Sequence, residues 1–406
     1  MKRLLRFFGM LALAGMACAA HADELVARGR YLTLAGDCAS CHTARNGQSF
    51  AGGHVVPTPF GAIMAPNLTA DRETGLGGWT ADDFYRAMHS GKSHDDTSLY
   101  PAFPFTSYTK VTRADTDAIF AYLKTLPPVK LANTEPALRW PYSMRSLLGS
   151  WRMLYFDEGE YRPDPKRSPA WNRGAYLVQG LGHCNECHSG RNTFGAMVTE
   201  PFLPGGLIPV QNWYAPDLSM GPNGGLSGWS EADVVALLKT GRSRKGSAFG
   251  PMADVVIQST QHLDDSDLAA MATYLKSLPE RPPPRQRESA ADAADLAKTG
   301  QKVYADQCAG CHAADGRGKG EAYPPLDGNS SVVEPTGINA IRIVLSGGFA
   351  PATAGNPRPY SMPPFSQTLS DDDAAAVVTY IRQAWSNKAP SVSPNDVRAY
   401  RSIPGG

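Results

Sequence analysis

The pentapeptide CASCH at residues 38–42 recurs as CNECH at residues 184–188 and as CAGCH at residues 308–312. Cys-x-x-Cys-His is the attachment signature of c-type haem. Two thiols one helical turn apart can each add to a porphyrin vinyl group, and the histidine that follows can bind the iron. The repeated pentapeptide therefore predicts three covalently bound haem c groups.

The motifs assign the attachment and proximal residues directly. A single Cys-x-x-Cys would also suit a redox dithiol or half of a zinc site. A dithiol does not need the trailing histidine, and zinc would need a second ligand pair near each first pair, which the sequence lacks. The predicted covalent haem ligands are Cys38, Cys41, Cys184, Cys187, Cys308 and Cys311, and the predicted proximal iron ligands are His42, His188 and His312.

The N-terminal stretch is typical of an export signal. Three basic residues within the first six positions flank an apolar run over residues 4–20, and Ala20-His21-Ala22 is a cleavage site of the A-x-A type. We predict a signal peptide over residues 1–22 and a periplasmic protein, at the outer face of the cytoplasmic membrane. A retained anchor, or lipidation at Cys18, is the competing interpretation.

Composition narrows the function classes. Of seven cysteines, Cys18 lies in the leader and the other six lie in the haem motifs, so no structural disulfide is left to assign. Three of the 39 basic residues and none of the 38 acidic residues lie in the leader. The remaining chain therefore has a small negative charge and no basic field for nucleic acid.

The rest of the chain repeats one unit three times. Each copy has a helical segment that runs into the haem motif, then a middle rich in Gly and Pro, then a closing helix over residues 112–126, 263–278 or 369–385. The fold class predicted is all-α, with three tandem class I-like cytochrome c domains and long loops. The predicted boundaries are 1–22 (signal peptide), 23–130 (domain 1), 131–168 (packed linker), 169–280 (domain 2), 281–292 (Pro-rich linker), 293–390 (domain 3) and 391–406 (C-terminal tail).

The distal iron ligands are predicted from loops that precede the closing helices. Met252 follows Gly-Pro in domain 2 and Met362 precedes Pro-Pro in domain 3, and methionine is a common distal ligand. Phe103 stands at the matching place in domain 1 and cannot bind iron. Met88 is our first choice there, with His89 next. Met64 or His94 could serve instead, or the iron could be five-coordinate.

The proximal imidazoles also need an acceptor for their second ring nitrogen, which fixes the tautomer. Proline-containing stretches lie downstream of each haem motif, at Pro66, Pro216 and Pro324-Pro325. We predict that backbone carbonyl groups of these stretches accept the histidine N–H.

Together these features resemble the three-haem cytochrome c subunit of bacterial membrane-associated alcohol, gluconate, sugar and aldehyde dehydrogenases. The resemblance implies that the chain takes electrons from a separate catalytic subunit of the flavin, quinoprotein or molybdenum type and passes them to ubiquinone or a terminal oxidase or cytochrome. Family members with a methionine at the place of Phe103 use it as the first distal ligand, so this sequence departs there. The resemblance covers about residues 23–390 and is carried by residues 28–31, 65–69, 99–102, 140–141, 143–145, 182–184, 252–256 and 362–363.

The leading hypothesis is an electron relay that is not catalytic alone and that associates with a dehydrogenase and, peripherally, with the membrane. A peroxidase-like haem enzyme is a second hypothesis, with an open first haem and His89 or His94 as its acid–base residue. A free-standing periplasmic electron carrier is a third. No catalytic residue is predicted for the relay.

Overall fold

In a computed structural model, the chain folds as two compact units. The first contains residues up to Arg162 together with Gly180–Gly182, and the second contains Pro163–Gln179 and the chain from His183 onward. The predicted domains 2 and 3 both fall mainly in the second unit, and the predicted domain boundaries stay predictions. The predicted signal peptide lies outside the described residues except for Ala22. The described residues are 22–198, 200, 202–220, 225–281, 293–320 and 322–402.

The first unit combines short helices with one small sheet. Strands β1, β2 and β3 form an antiparallel sheet in that order, in which Val55 pairs with Met64 and Gly61 pairs with Leu138. The elements are α1 over 22–35, α2 Cys38–His42, β1 Val55–Thr58, β2 Gly61–Met64, α3 Ala81–Ser90, α4 Phe105–Tyr108, α5 Arg113–Leu123, β3 Ala137–Leu138 and α6 Leu147–Tyr155.

The second unit also combines helices with short strands. Its described strands form two-residue or three-residue antiparallel pairs, β4 with β5, β6 with β7 and β8 with β9. The elements are α7 Pro169–Tyr176, a π-helical turn Leu177–Leu181, α8 Asn185–His188, β4 Gly206–Ile208, β5 Trp213–Ala215, α9 Glu231–Thr240, β6 Arg242–Ser243, β7 Gly246–Ser247, α10 Pro251–Gln258, a 3-10 turn Thr260–His262, α11 Asp265–Leu275, α12 Ala293–Gln307, α13 Ala309–His312, α14 Ser330–Val333, α15 Ile338–Ser346, β8 Gly348–Phe349, β9 Ser361–Met362, α16 Asp371–Gln383 and α17 Pro394–Arg401.

The first and last helices of each repeat cross at a glycine. A Cβ atom on any of these glycines would lie about 2 Å from a backbone carbonyl oxygen of the closing helix, so only glycine allows this approach. Close crossing lets the two helices share one core and brings the haem motif to the end of that core. The pairs are Gly29 with the oxygen of Ala118 (1.8 Å), Gly174 with that of Ala270 (1.9 Å) and Gly300 with that of Ala376 (2.0 Å).

Local capping sets the ends of helices α3 and α9. Helix α3 begins with a capping box between Thr80 and Asp83, and α9 begins with one between Ser230 and Asp233. Each helix ends at a glycine in the left-handed region, for example Gly91 with φ 58°.

The linker and the tail both contain regular structure. In the linker, β3 pairs with β2, Leu148 of α6 is buried, and Trp151 meets the ring of Phe105 edge-on at 6.4 Å between centroids. The predicted C-terminal tail contains helix α17, because Ser393 caps this helix and Val397 is fully buried. Among the described residues, no helix is both long and apolar enough to cross a membrane.

Candidate haem sites

Each haem motif forms a short helix that ends at its histidine. Helix α2 spans the whole first motif, and α8 and α13 each begin one residue after the first cysteine of theirs. Residues three apart on a helix lie on the same face, so the two cysteine sulfurs of a motif point to one side. This arrangement suits attachment to two positions on one edge of a porphyrin.

The proximal histidines share one hydrogen-bond arrangement, and it matches the prediction. His42 Nδ1 lies 2.8 Å from the carbonyl oxygen of Pro66, and His188 Nδ1 lies 2.8 Å from that of Pro216. His312 Nδ1 lies 3.0 Å from the oxygen of Pro324. A carbonyl can only accept, so Nδ1 carries the proton and Nε2 keeps its lone pair for a metal.

The ionisation of the histidines and cysteines in these motifs disfavours a redox dithiol. Desolvation by the surrounding protein lowers the pKa of all three proximal imidazoles, which keeps the rings neutral. The same desolvation raises the pKa of the Cys38 and Cys184 thiols to about 12. Redox dithiols need a thiolate of lowered pKa, so a dithiol function is disfavoured. In the described part of the chain, no three His, Cys, Asp or Glu side chains are grouped as a zinc site would require.

The third motif faces a largely apolar cavity. Cys308, Cys311 and His312 line it, and Met362 lines the same cavity. An apolar cavity with a neutral imidazole and a thioether suits an iron porphyrin. Met362 lies on β9 and not in a loop as predicted, because residues 361 and 362 pair with β8. Its role as a distal ligand stays a prediction. The other apolar lining residues include Leu326, Val332, Ile343 and Phe365.

In the second domain, Met252 lies in the first turn of helix α10 and not in a loop as predicted. Pro251 occupies a position at the start of this helix, where its missing N–H costs no hydrogen bond. Gly250 adopts φ 53°, and a Cβ there would lie 2.8 Å from the ring of Trp213. Met252 is half-buried, and its role as a ligand also stays a prediction.

In the first domain, Phe103 packs on Tyr108, which is bonded to the segment just before the haem motif. The ring centroids of Phe103 and Tyr108 lie 5.4 Å apart, and the Tyr108 hydroxyl donates to the carbonyl of Gly36 at 3.0 Å. Gly36 is two residues before Cys38.

The candidate replacement ligands for that iron occupy different environments. Met88 is buried on α3. His89 stacks on Tyr85 at 4.8 Å, and its Nε2 lies 3.6 Å from a carboxylate oxygen of Glu158. The first distal ligand stays a prediction, with Met88 ahead of His89. Of the remaining two candidates, Met64 lies on β2 opposite Val55, and the ring of His94 lies 5.0 Å from Trp79.

One part of the third site could not be predicted from the sequence. Ser247, Ala248 and Phe249 line its cavity, although they belong to the predicted domain 2. These residues carry no haem signature, and their place in the cavity depends on a contact between chain segments about 60 residues apart.

Comparison with known proteins identifies the family. The sequence model of the family named cytochrome c matches residues 26–127, 172–279 and 297–385. The chain is 39% identical to the cytochrome c subunit of alcohol dehydrogenase (quinone) from Gluconobacter oxydans (strain 621H), over 98% of this chain and 87% of that protein. It is also 39% identical to the gluconate 2-dehydrogenase cytochrome c subunit of Pantoea cypripedii, over 97% of this chain and 93% of that protein. The fructose dehydrogenase cytochrome subunit of Gluconobacter japonicus is 34% identical, over 93% of this chain and 82% of that protein.

The resemblance inferred from the motifs is therefore confirmed. Cytochrome c domains are repeated along the chain, and its helical content agrees with an all-α cytochrome fold. Such domains hold haem c covalently and transfer electrons. The chain belongs to the cytochrome c family.

Proposed function

We propose that the chain is a three-haem electron relay and the cytochrome subunit of an exported dehydrogenase. The observation that carries the proposal is the threefold repetition of one complete half-site. Each half-site contains two cysteines on one helical turn and a histidine whose Nδ1 is bonded to a proline carbonyl. Three tandem cytochrome c domains would then follow one another in the chain.

The residues of the chain determine how the bound haem would behave. The cysteines hold each porphyrin at a fixed place, so an electron can pass between fixed centres. A histidine on one side and Met252 or Met362 on the other would fill the coordination positions of two irons. A filled iron exchanges single electrons and does not bind substrate. At these two haems no bond-breaking chemistry would take place, so the relay would leave it to another subunit.

The partners follow from the family. The relatives described above are cytochrome subunits of alcohol, gluconate and fructose dehydrogenases, which supports a catalytic subunit of the flavin, quinoprotein or molybdenum type as the electron donor. Substrate oxidation there releases two electrons and two protons. The relay would carry the electrons one at a time to ubiquinone or to a terminal oxidase or cytochrome. The predicted signal peptide supports the periplasm, with peripheral attachment to the membrane, as the location.

A haem enzyme with an open first haem is the second candidate, and Phe103 is the observation that favours it. Carbon monoxide added to the reduced protein distinguishes the two functions. Rapid binding at one haem in three supports the enzyme, whereas no binding supports the relay.

Intact mass measured on the purified mature protein tests the relay directly. We expect three haem additions, and a Cys308→Ala/Cys311→Ala double variant should lose one. The holoprotein should then be reduced by its dehydrogenase only when the substrate of that enzyme is present. Two additions or fewer on the wild-type protein would contradict the three-haem proposal.

A further inference from the structure

The cavity at the third haem motif is built from two domains. Cys308, His312 and Met362 belong to the predicted domain 3, whereas Ala248 and Phe249 belong to domain 2. All of them lie in the second compact unit. The third site is therefore closed on one side by a segment that its own domain does not supply.

That segment leads directly to the predicted distal ligand of the second haem. Phe249 lines the third cavity, and Met252 follows three residues later. Three residues span at most about 11 Å of chain. Trp213 packs along the start of this segment, because its ring meets Phe249 edge-on at 5.4 Å and also lies against Gly250.

Buried polar contacts hold the two domains in this position. Asn339, which also lines the third cavity, accepts the backbone N–H of Tyr214 at 2.9 Å and donates to its carbonyl at 2.7 Å. This amide is buried, so both bonds would be costly to lose. The guanidinium carbon of Arg342 lies 4.5 Å from the centre of the Trp213 ring.

We propose that domain 2 completes the third haem site, with Phe249 as the positioning residue that forms the shared wall. The proposal rests on the three-haem function above. Phe249 excludes water from the third haem, and the segment over residues 247–252 links the environments of the second and third haems. The potential of the third haem then depends on a residue outside its own domain, because haem burial is one of the factors that set the potential.

The experiment is a redox titration of the full holoprotein, followed by low-temperature electron paramagnetic resonance. A Met362→His variant first identifies the signal of the third haem, because only that signal should change. Phe249→Ala should then admit water, which favours the more highly charged ferric state. At a fixed potential near the wild-type midpoint, the ratio of reduced to oxidised third haem should fall about threefold or more.

Matched variants separate a local effect from a general one. Phe249→Leu keeps an apolar wall and should restore most of the wild-type ratio. Phe194→Ala removes an exposed phenylalanine of the same domain and should leave the third signal unchanged. Trp213→Leu removes the domain 2 ring that meets Phe249 without changing a residue that lines the cavity, and it should shift the third haem in the same direction as Phe249→Ala. It decides the question if Phe249→Ala cannot be purified.

The outcomes distinguish this inference from the proposed function. A wild-type protein whose mass lacks a third haem would contradict the three-haem relay. If all three haems are present but Phe249→Ala and Trp213→Leu leave the third signal and its midpoint unchanged, the shared wall is wrong and the relay still stands.

Discussion

Helices α7 and α11 cross at Gly174, and we expect a larger residue there to destabilise the protein. In Gly174→Ala, the new Cβ would lie 1.9 Å from the carbonyl oxygen of Ala270 and 2.9 Å from Cβ of Tyr274. Carbon and oxygen normally approach no closer than about 3.3 Å. Helices α7 and α11 would therefore have to separate by roughly 1.4 Å. Overpacking of a core costs about 1–3 kcal/mol, and we expect the upper end because the obstacle is backbone and cannot rotate away.

The assay is denaturation of the holoprotein by guanidinium chloride, followed by the visible absorbance of the haems. Gly174→Ala should move one part of the transition to a lower denaturant concentration. Gly149→Ala is the matched control, since a Cβ there has no atom within 4 Å. This control lies in helix α6, where alanine should be neutral or stabilise by up to about 1 kcal/mol. If both variants unfold together with the wild-type protein, the close crossing does not limit stability and our reasoning is refuted.

Three further predictions concern single sites. Phe103→Met should supply a distal ligand to the first haem and raise its midpoint potential, and an unchanged redox titration would place another residue on that iron. Met362→Ala should convert one haem of three to a form that binds carbon monoxide, and visible difference spectra measure the fraction. The third prediction concerns Asp233, the capping carboxylate of α9. Burial raises the pKa of this carboxyl group, but hydrogen bonds from Arg244 and Ser230 outweigh the effect of burial, and the pKa is lowered from 3.8 to about 2. The charged form is thus favoured by folding, and this stabilisation of about 2 kcal/mol is present above pH 4 and is lost as the pH falls towards 2. Asp233→Asn should therefore unfold more easily than wild type at pH 6 and should match it near pH 2, and a constant difference between the two would contradict the assignment.

Local chemistry explains why some features could be predicted. The spacing of the haem motif follows from two covalent bonds formed within one helical turn. The capping boxes at Thr80 and Ser230 likewise involve residues only three apart. The proline carbonyls opposite His42 and His188 were also predictable, because each domain repeats the same downstream segment. Short-range patterns of this kind need no knowledge of how distant segments pack.

Distant packing decided the features that prediction missed. Ser247, Ala248 and Phe249 line the cavity of the third haem motif, although that motif lies about 60 residues further along the chain. Helix α17 forms where only a tail was expected, because Val397 finds a buried position and Arg401 pairs with Asp371.

The haem chemistry could be predicted from the residues alone, as three cysteine pairs, three histidines and the helices that contain them. The close helix crossings and the place of Phe249 in the third cavity are seen only in the folded chain. A haem motif is recognised within five residues, whereas the position of Phe249 in the cavity depends on packing between distant segments, such as the hydrogen bonds between Asn339 and Tyr214 across 125 positions of the chain.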